Sequence, residues 1–186
     1  MIGFAMCGSF CTVKKALSEL ERLVTRHEVQ GILSEAVYST DTRFAPAADV
    51  CARMELLTGR PLIHSIVGAE PLGPQTPLEA LIICPCTGNT LAKMANGITD
   101  TTVTMAAKAH LRSNRPLVLA LASNDALSAN LKNIGEMLTR KHVYFVPMKQ
   151  DDPERKPHSL VADFTLLPQT LEAALQGKQY QRLFQI

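Results

Sequence analysis

The chain alternates short apolar runs with segments in which apolar residues recur every three or four positions. The apolar runs predict strands at 2–7, about 28–37, 80–84, 116–122 and 143–146. The spaced patterns predict helices at 13–24, about 47–58, from about Thr90, 101–111, 127–138 and near 171–175. Parallel strands need right-handed crossover helices between them. The pattern therefore predicts an α/β fold with a doubly wound, mostly parallel sheet, a Rossmann-like three-layer sandwich.

Two features refine this picture. The near-continuous apolar run at 116–122 is typical of a central strand that is covered on both faces. Segments rich in proline predict loops at 69–77 and 151–157. A length of 186 residues suits one domain, so we expect residues 1–186 to form a single one.

Charge is scarce and evenly mixed. Charged residues make up 19% of the chain, against roughly 25% in a typical soluble protein. Because the cores of protein interfaces are depleted in charge, this favours self-association. A net charge of +2 with scattered Lys and Arg gives no indication of nucleic-acid binding. No apolar run approaches the length of a membrane span, so we expect a cytoplasmic protein.

The five cysteines lack the paired spacing of a zinc site, and their odd number argues against a disulfide framework. Four of them cluster at predicted strand ends: Cys7, Cys11, Cys84 and Cys86. The favoured interpretation is soft packing residues in a reducing compartment. A redox or nucleophilic role is the alternative.

Small polar turns follow four of the predicted strands: Gly8–Ser9, Ser39–Thr40, Thr87–Thr90 and Ser123–Asp125. In open α/β sheets, ligands bind outside the carboxyl ends of the strands. We therefore predict that these turns form one binding rim.

The turn at 87–90 has two interpretations. Hydroxyls, a side-chain amide and free helix N–H groups meet at Thr87, Gly88, Asn89 and Thr90, which suits a phosphate or the edge of a flavin ring. The alternative is an ordinary turn in which Thr or Asn caps a helix. Likewise, Gly8–Ser9 is either a helix-entry turn or a phosphate contact.

Two known nucleotide-binding motifs restrict the class of ligand that the rim could bind. The dinucleotide motif G-x-G-x-x-G is absent after the first strand, which offers only Gly3 and Gly8. A phosphate-binding P-loop is disfavoured because Ser9–Phe10 stands where Lys and Ser/Thr should follow the glycine. A mononucleotide with one phosphate remains.

Several of these segments carry a resemblance. Gly8–Ser9 after the first strand, Pro85–Thr90 after the third and the following 91–100 resemble the flavoprotein family that includes flavin prenyltransferases and flavin-dependent cysteine decarboxylases. Further matching segments span nearly the whole chain: 41–44, 69–74, 105–108, 114–116, 123–127, 150–153 and 156–157. The resemblance implies a flavodoxin-like fold, bound FMN and homo-oligomers built from trimers.

The resemblance also implies roles for individual residues. Gly8 and Ser9 would meet the phosphate side of FMN, and Ser39 the ribityl or phosphate region. Thr87 and Thr90 would meet the ring or its phosphate. The remaining residues assigned to the cofactor site are Gly88, Asn89, Ser123 and Asn124.

The chain departs from both enzyme types. Cysteine decarboxylases carry Pro-Ala-Ser-Ala-Asn-Thr where this chain has Pro-Cys-Thr-Gly-Asn-Thr at 85–90, and a Pro-x-Met-Asn motif near Ser123–Asp125. Prenyltransferases carry Arg-Glu-x-Pro-Leu where this chain has 123–127, which removes a cation expected to hold a prenyl phosphate. Cysteine decarboxylation is therefore disfavoured, and a flavin prenyltransferase is kept as an alternative.

The activity that the resemblance implies is an oxidation beside a second subunit, which yields pyridine-2,6-dicarboxylate in sporulating bacteria. A flavin can accept the two electrons as hydride. The two carboxylates of the substrate would be bound by cationic side chains. Arg43 is the preferred candidate, ahead of Lys93, Lys108 and Arg112. The alternative is a flavin-binding scaffold without chemistry of its own.

General acid or base candidates are few. For that work the candidates are Asp100, Asp125, His64 and His110. The catalytic residues are not identified, and Asn124 and Asp125 are the candidates that line the predicted rim. Asp100 is favoured as the cap of the helix from Thr101, and His110 as a packed or interface histidine. No role is assigned to His64.

Overall fold

A computed structural model of the protein describes residues 1–185. Its strands are β1 (Ile2–Met6), β2 (Val29–Leu33), β3 (Ala80–Thr87), β4 (Leu117–Ser123), β5 (Val143–Phe145), β6 (Met148–Lys149) and β7 (Leu160–Ala162). Its helices are α1 (Val13–Leu23), α2 (Glu35–Ser39), α3 (Ala47–Thr58), α4 (Ile66–Ala69), α5 (Gly88–Ala95), α6 (Thr102–Leu111), α7 (Leu131–Thr139) and α8 (Leu167–Leu175). Single 3-10 turns at Phe10–Thr12 and Phe164–Leu166 precede α1 and α8.

The strands form one sheet in the order β2-β1-β3-β4-β7-β6, and β5 also pairs with β4. The pairs β1–β2, β1–β3, β3–β4 and β4–β5 are parallel, whereas β7 is antiparallel to both β4 and β6. This confirms the predicted doubly wound, mostly parallel α/β sheet. Because the strand order reverses between β1 and β3, their carboxyl ends form the switch point at which such sheets bind ligands.

The two central strands carry most of the core. Every residue of β4 is buried, and β3 is buried up to Cys86. Both strands read as continuous apolar runs because helices cover both faces of the sheet. The prediction of a central strand at 116–122 is confirmed.

The sequence predicted that the third strand ends at Cys84, but β3 is longer. It continues to Thr87, and its register against β4 shifts between Ile83 and Cys86. Pro85 lies inside this irregularity. Because proline has no backbone N–H, it cannot donate a hydrogen bond to the regular strand ladder. The extension sets Cys86 and Thr87 beside Leu121 and Ala122, at the carboxyl end of β4.

The second strand is shorter than predicted. It ends at Leu33, and the residues up to Ser39 form α2. Ser34 caps this helix by accepting a hydrogen bond from the Val37 N–H at 3.4 Å. Val37 is buried as a helical residue and not as part of a strand, so the prediction of a strand to 37 was wrong.

Two further helix boundaries differ from the predictions. The helix expected from Leu127 begins at Leu131, because residues 124–130 form turns. Thr101, and not Asp100, caps α6, in a capping box with Thr104. Asp100 instead pairs with Lys93 at 2.7 Å.

Several elements at the periphery were missed. The short strands β6 and β7 and the helix α4 were not predicted, and α8 begins four residues before the expected 171. Among the helices of residues 1–185, none combines the length and the apolar character that a membrane span requires.

Candidate functional site

Three of the four polar turns predicted as a binding rim meet in one cleft. The turn after β1, the start of α5 after β3 and the turn after β4 line a cavity of about 640 Å³. It opens at the switch point between β1 and β3, where the sheet order reverses. The predicted residues in its lining are Gly8, Ser9, Arg43, Thr87, Gly88, Asn89, Ser123, Asn124 and Asp125.

Two predicted cofactor residues are not part of the lining. Ser39 does not follow a strand but lies in the last turn of α2, and its hydroxyl donates to the Glu35 carbonyl at 2.7 Å. Thr90 is buried in the first turn of α5. Contact of either side chain with a ligand stays a prediction.

The turn after β1 is tightly closed by backbone bonds. The Ser9 N–H donates to the Cys7 carbonyl at 2.8 Å, and the Thr12 hydroxyl donates to the Ser9 carbonyl at 2.8 Å. A Cβ on Gly8 would meet the Phe10 ring at 3.3 Å and Ala36 at 3.4 Å. Position 8 therefore faces Phe10 and Ala36 closely, and Gly8 and Ser9 both line the cleft.

The start of α5 is capped by Thr87. Its hydroxyl oxygen accepts from the Thr90 N–H at 3.2 Å, so the interpretation of this turn as a helix cap is confirmed. The Thr87 hydroxyl donates to Thr90 Oγ1 at 3.1 Å, and Thr90 in turn donates to Cys7 Sγ at 3.3 Å. This chain of bonds turns Thr90 inward. The first N–H groups of the helix, at Gly88 and Asn89, have no acceptor within the helix and are available to a ligand.

Asp125 is the centre of a polar network on the opposite wall. It accepts from the Ser123 hydroxyl at 2.5 Å and from Asn130 Nδ2 at 3.0 and 2.9 Å. Asn133 Nδ2 donates to Asn130 Oδ1 at 2.8 Å. The Ser123 hydroxyl and then the Asn130 amide hold the pKa of Asp125 below its ordinary value, because both stabilise the charged form. The cleft wall therefore carries a fixed carboxylate.

Cations from three separate segments face the same cleft. Lys15 comes from α1, Arg43 from the loop before α3 and Lys156 from the loop between β6 and β7. Lys156 pairs with Asp151 at 2.8 Å, which raises the pKa of the Lys156 amine. The Arg43 guanidinium lies 4.9 Å from the centre of the Phe44 ring.

The buried cysteines are packing residues. Burial raises the pKa of Cys7 to about 11 and the pKa values of Cys84 and Cys86 well above the ordinary range. A buried thiol that stays protonated is a poor nucleophile. Cys11 differs, because it is exposed and lines the cleft.

Neither histidine of interest belongs to the cleft lining. His110 is fully buried and its Nε2 lies 2.9 Å from the Pro116 carbonyl, so the prediction of a packed residue is confirmed. The ring of His64 stacks on Tyr38 with the centroids 3.9 Å apart.

A larger cavity, of about 810 Å³, lies elsewhere. It is a groove between the C-terminal half of α1 and helix α8, and it includes Arg22, Arg26 and His27. Because His27 lies two residues before the start of β2, this groove lies towards the amino ends of the strands. Ligands of open α/β sheets bind at the opposite ends, so position favours the smaller cleft.

A comparison with known proteins decides the family. The model of the flavoprotein family matches residues 1–163. The chain belongs to the flavoprotein family. The B subunit of dipicolinate synthase from Bacillus subtilis (strain 168) is 47% identical to this flavoprotein over 181 residues, 97% of this chain and 90% of that protein.

Solved structures agree with the observed fold. The crystal structure of the dipicolinate synthase B subunit from Bacillus halodurans superposes on this flavoprotein with a TM-score of 0.91 and 42% identity, covering 100% of this chain and 95% of that one. A dodecameric FMN-dependent UbiX-like decarboxylase from Escherichia coli O157:H7 gives a TM-score of 0.62 at 24% identity, over 78% and 79% of the two chains. The second likeness concerns the fold alone.

The cleft fits the flavin that the family implies. Its volume lies within the roughly 300–1,000 Å³ of small-molecule sites. The donor set suits a flavin phosphate, because it combines the hydroxyl of Ser9, the free N–H groups of α5 and the charge of Lys15. Ser123 and Asn124 supply polar groups at the other wall.

Several residues of this site were not predicted. Asn130 and Asn133 brace Asp125, and Lys15 and Lys156 line the cleft. Asn130 is the N-cap residue of α7 and Asn133 lies in its first turn; both are buried, and no periodic pattern marks them as partners of Asp125. No local pattern indicates Lys156, because the loop between β6 and β7 reaches the cleft only through tertiary pairing with β4.

Proposed function

We propose that this chain binds FMN in the cleft and acts as the B subunit of a dipicolinate synthase. With the A subunit of that enzyme it would oxidise a dihydrodipicolinate-type precursor to pyridine-2,6-dicarboxylate during sporulation, in the cytoplasm. The observation that carries the proposal is the convergence of three polar strand-end turns on one cleft at the switch point of the sheet. The likeness to the Bacillus subtilis protein over almost the whole chain supports the same reaction.

The residues of the β1 turn and of α5 would hold the phosphate side of FMN. Gly8 lets the backbone approach, Ser9 offers a hydroxyl, and Asn89 offers an unpaired helix N–H. Ser123 and Asn124 would contact the ring region, together with Thr87 at the end of β3. FMN, when bound, would supply the acceptor for the two electrons, which it takes as one hydride.

Cations on facing loops would bind the dicarboxylate. Arg43 can grip one carboxylate with two parallel hydrogen bonds. Lys156 lies on a different loop and is already held in place by Asp151, so it is suited to the second carboxylate as a point charge. The substrate class is thus proposed as a small planar dianion.

Asp125 is a poor general base in this proposal. Its carboxylate already accepts from Ser123 and Asn130, and these donors hold its pKa below its ordinary value. A base should have a pKa near the working pH. Asn124 is exposed at the cleft and is the better candidate for a direct contact with substrate.

A homo-oligomer built from trimers is part of the proposal. Large apolar side chains stand exposed on helices, with Val67 at 77% and Leu56 at 73% exposure. Exposed side chains of this kind, together with the low charge content, suit contacts between copies. The related decarboxylase from Escherichia coli is dodecameric, which fits assembly from trimers.

The test loads the purified chain with FMN and mixes it, without oxygen, with the dihydropyridine dicarboxylate. Bleaching of the flavin absorbance when the A subunit is present, and formation of pyridine-2,6-dicarboxylate, support the proposal. Bleaching when the A subunit is left out assigns the oxidation to this chain, and its absence there favours a flavin-binding scaffold. A chain that stays colourless at millimolar FMN contradicts the proposal.

A further inference from the structure

We propose that Asp125 is a positioning residue that acts through Ser123. It accepts the hydrogen bond of the Ser123 hydroxyl, so that Ser123 offers only acceptor lone pairs to the ligand in the cleft. This inference rests on the proposed binding of FMN. It gives Asp125 a different role from the catalytic one that the sequence suggested.

The Ser123 hydroxyl has already used its only hydrogen. A serine hydroxyl has one hydrogen to donate and two lone pairs that accept. Ser123 donates its hydrogen to Asp125 Oδ1 at 2.5 Å, and no described residue donates a hydrogen bond to Ser123 Oγ. Ser123 lines the cleft although its side chain is buried. A ligand that contacts it must therefore bring a donor.

The Asp125 carboxylate is held in place from its far side. Asn130 Nδ2 reaches both carboxylate oxygens, and Asn133 Nδ2 holds Asn130 Oδ1 in turn. Asn130, at the N-cap of α7, and Asn133, in its first turn, are both buried, so the brace is anchored in the packed part of the protein. A network in which each polar member is satisfied fixes the geometry of its members.

Helix α5 approaches Ser123 and Asp125 closely. A Cβ built on Gly88 would meet the Ser123 hydroxyl, Asn130 Nδ2 at 2.7 Å and Asp125 Oδ1 at 2.9 Å. The network is therefore packed against the first turn of α5, and neither Ser123 nor Asp125 has space to move in that direction.

Oxidised FMN matches this requirement. It carries a ring N–H and ribityl hydroxyls, which can donate to an acceptor. With Asp125→Asn, the side-chain amide can donate to Ser123 Oγ, and the hydroxyl hydrogen would be released towards the cleft. An acceptor would become a donor, and the contact with a donor on FMN would be lost.

The experiment is a double-mutant cycle on FMN affinity, measured from the quenching of flavin fluorescence. The variants are Asp125→Asn, Ser123→Ala and the double variant, with Asp49→Asn on the exposed surface of α3 as the matched control. We expect each single change to weaken FMN binding by roughly 3- to 10-fold, the value of one hydrogen bond. The double variant should bind no more weakly than the Ser123→Ala variant.

The visible spectrum of bound FMN supplies a readout that loss of stability would not move. FMN bound to the Asp125→Asn variant and FMN bound to the Ser123→Ala variant should have the same visible spectrum. That spectrum should be shifted from the spectrum of FMN bound to the unchanged protein, and it should also differ from that of free FMN. Asn133→Ala loosens the brace from its far end and should shift the spectrum in the same way if Asp125→Asn does not fold.

The outcomes separate the two proposals. Failure of the unchanged protein to bind FMN contradicts the proposed function. If the protein binds FMN but the effects of Asp125→Asn and Ser123→Ala simply add, or Asp125→Asn leaves the affinity unchanged, the positioning role is wrong.

Discussion

Gly88 lies so close to Ser123 that a Cβ at position 88 would collide with the serine hydroxyl. The same Cβ would also press on Asn130 and Asp125, at 2.7 and 2.9 Å. Helix α5 therefore approaches these three side chains at a position that carries no side chain of its own. The two walls of the cleft are in this way a single packed unit.

Gly88→Ala should consequently destabilise the protein, by about 1–3 kcal/mol, as expected for overpacking at a tight contact. Urea unfolding gives the free energy. Gly135→Ala is the matched control: no described atom lies within 4 Å of its Cβ position, and it stands inside α7. Alanine there should stabilise by about 0.5–1 kcal/mol, because glycine loses more backbone freedom in a helix. Equal effects of the two changes would contradict the packing described for Gly88.

Thr87→Ala should remove the cap of α5. The Thr90 N–H would lose its acceptor at 3.2 Å, and loss of such a cap costs about 0.5–2 kcal/mol. Thr87→Ser keeps the hydroxyl and should retain most of the stability. The comparison is made by thermal unfolding of both variants. If the serine variant is as unstable as the alanine variant, the Thr87 methyl group matters and the cap does not.

Buried His110 should make stability depend on pH. Burial lowers its pKa below the ordinary 6.5, so in the unfolded chain it binds a proton at a higher pH than in the native protein. The unfolded state then binds more protons as the pH falls through 6.5, and native stability declines. Melting temperatures between pH 7.5 and pH 5.5 measure this slope. His110→Gln keeps a donor towards Pro116 and should flatten it; an unchanged slope would assign the effect to other groups.

The cysteines should react in the order that burial dictates. In the folded protein iodoacetamide should label exposed Cys11 and spare Cys7, Cys84 and Cys86, which burial keeps protonated. Peptide mass spectrometry identifies the labelled positions. Because Cys11 lines the cleft, saturating FMN should slow its labelling. Labelling of Cys11 at the same rate with and without FMN would place the flavin elsewhere.

The central sheet was predictable because its strands are buried on both faces. The run at 116–122 is too apolar for the surface and too short to span a membrane. It is therefore best explained as a strand in the centre of the sheet. Strand β7 was not predictable in the same way. Leu160–Ala162 is three residues long and pairs only with the end of β4 and with β6, so its strand conformation depends on tertiary contacts.

Local sequence signals could have corrected some of the wrong predictions. Ser34 followed by Glu35 is a typical start of a helix, and it marks the end of β2 correctly. The polar turns after β1, β3 and β4 indicated the cleft because strand ends of a parallel sheet share one edge. Ser39 was included with them only because β2 was predicted to extend well beyond Leu33.

The network around Asp125 lay beyond sequence reasoning. Asn130 is five residues from Asp125 and reaches it through the turns at 124–130, which no helical or strand period describes. Gly88 meets the same residues from a different strand-helix unit. Such contacts are defined only when the two central strands are in register.

The most direct test of FMN binding in the cleft is a crystal structure of the chain grown with FMN. We expect flavin density in the cleft, with the phosphate beside Ser9 and the start of α5, and the ring region against Ser123. Flavin density in the groove between α1 and α8, or none in crystals soaked at millimolar FMN, would contradict it.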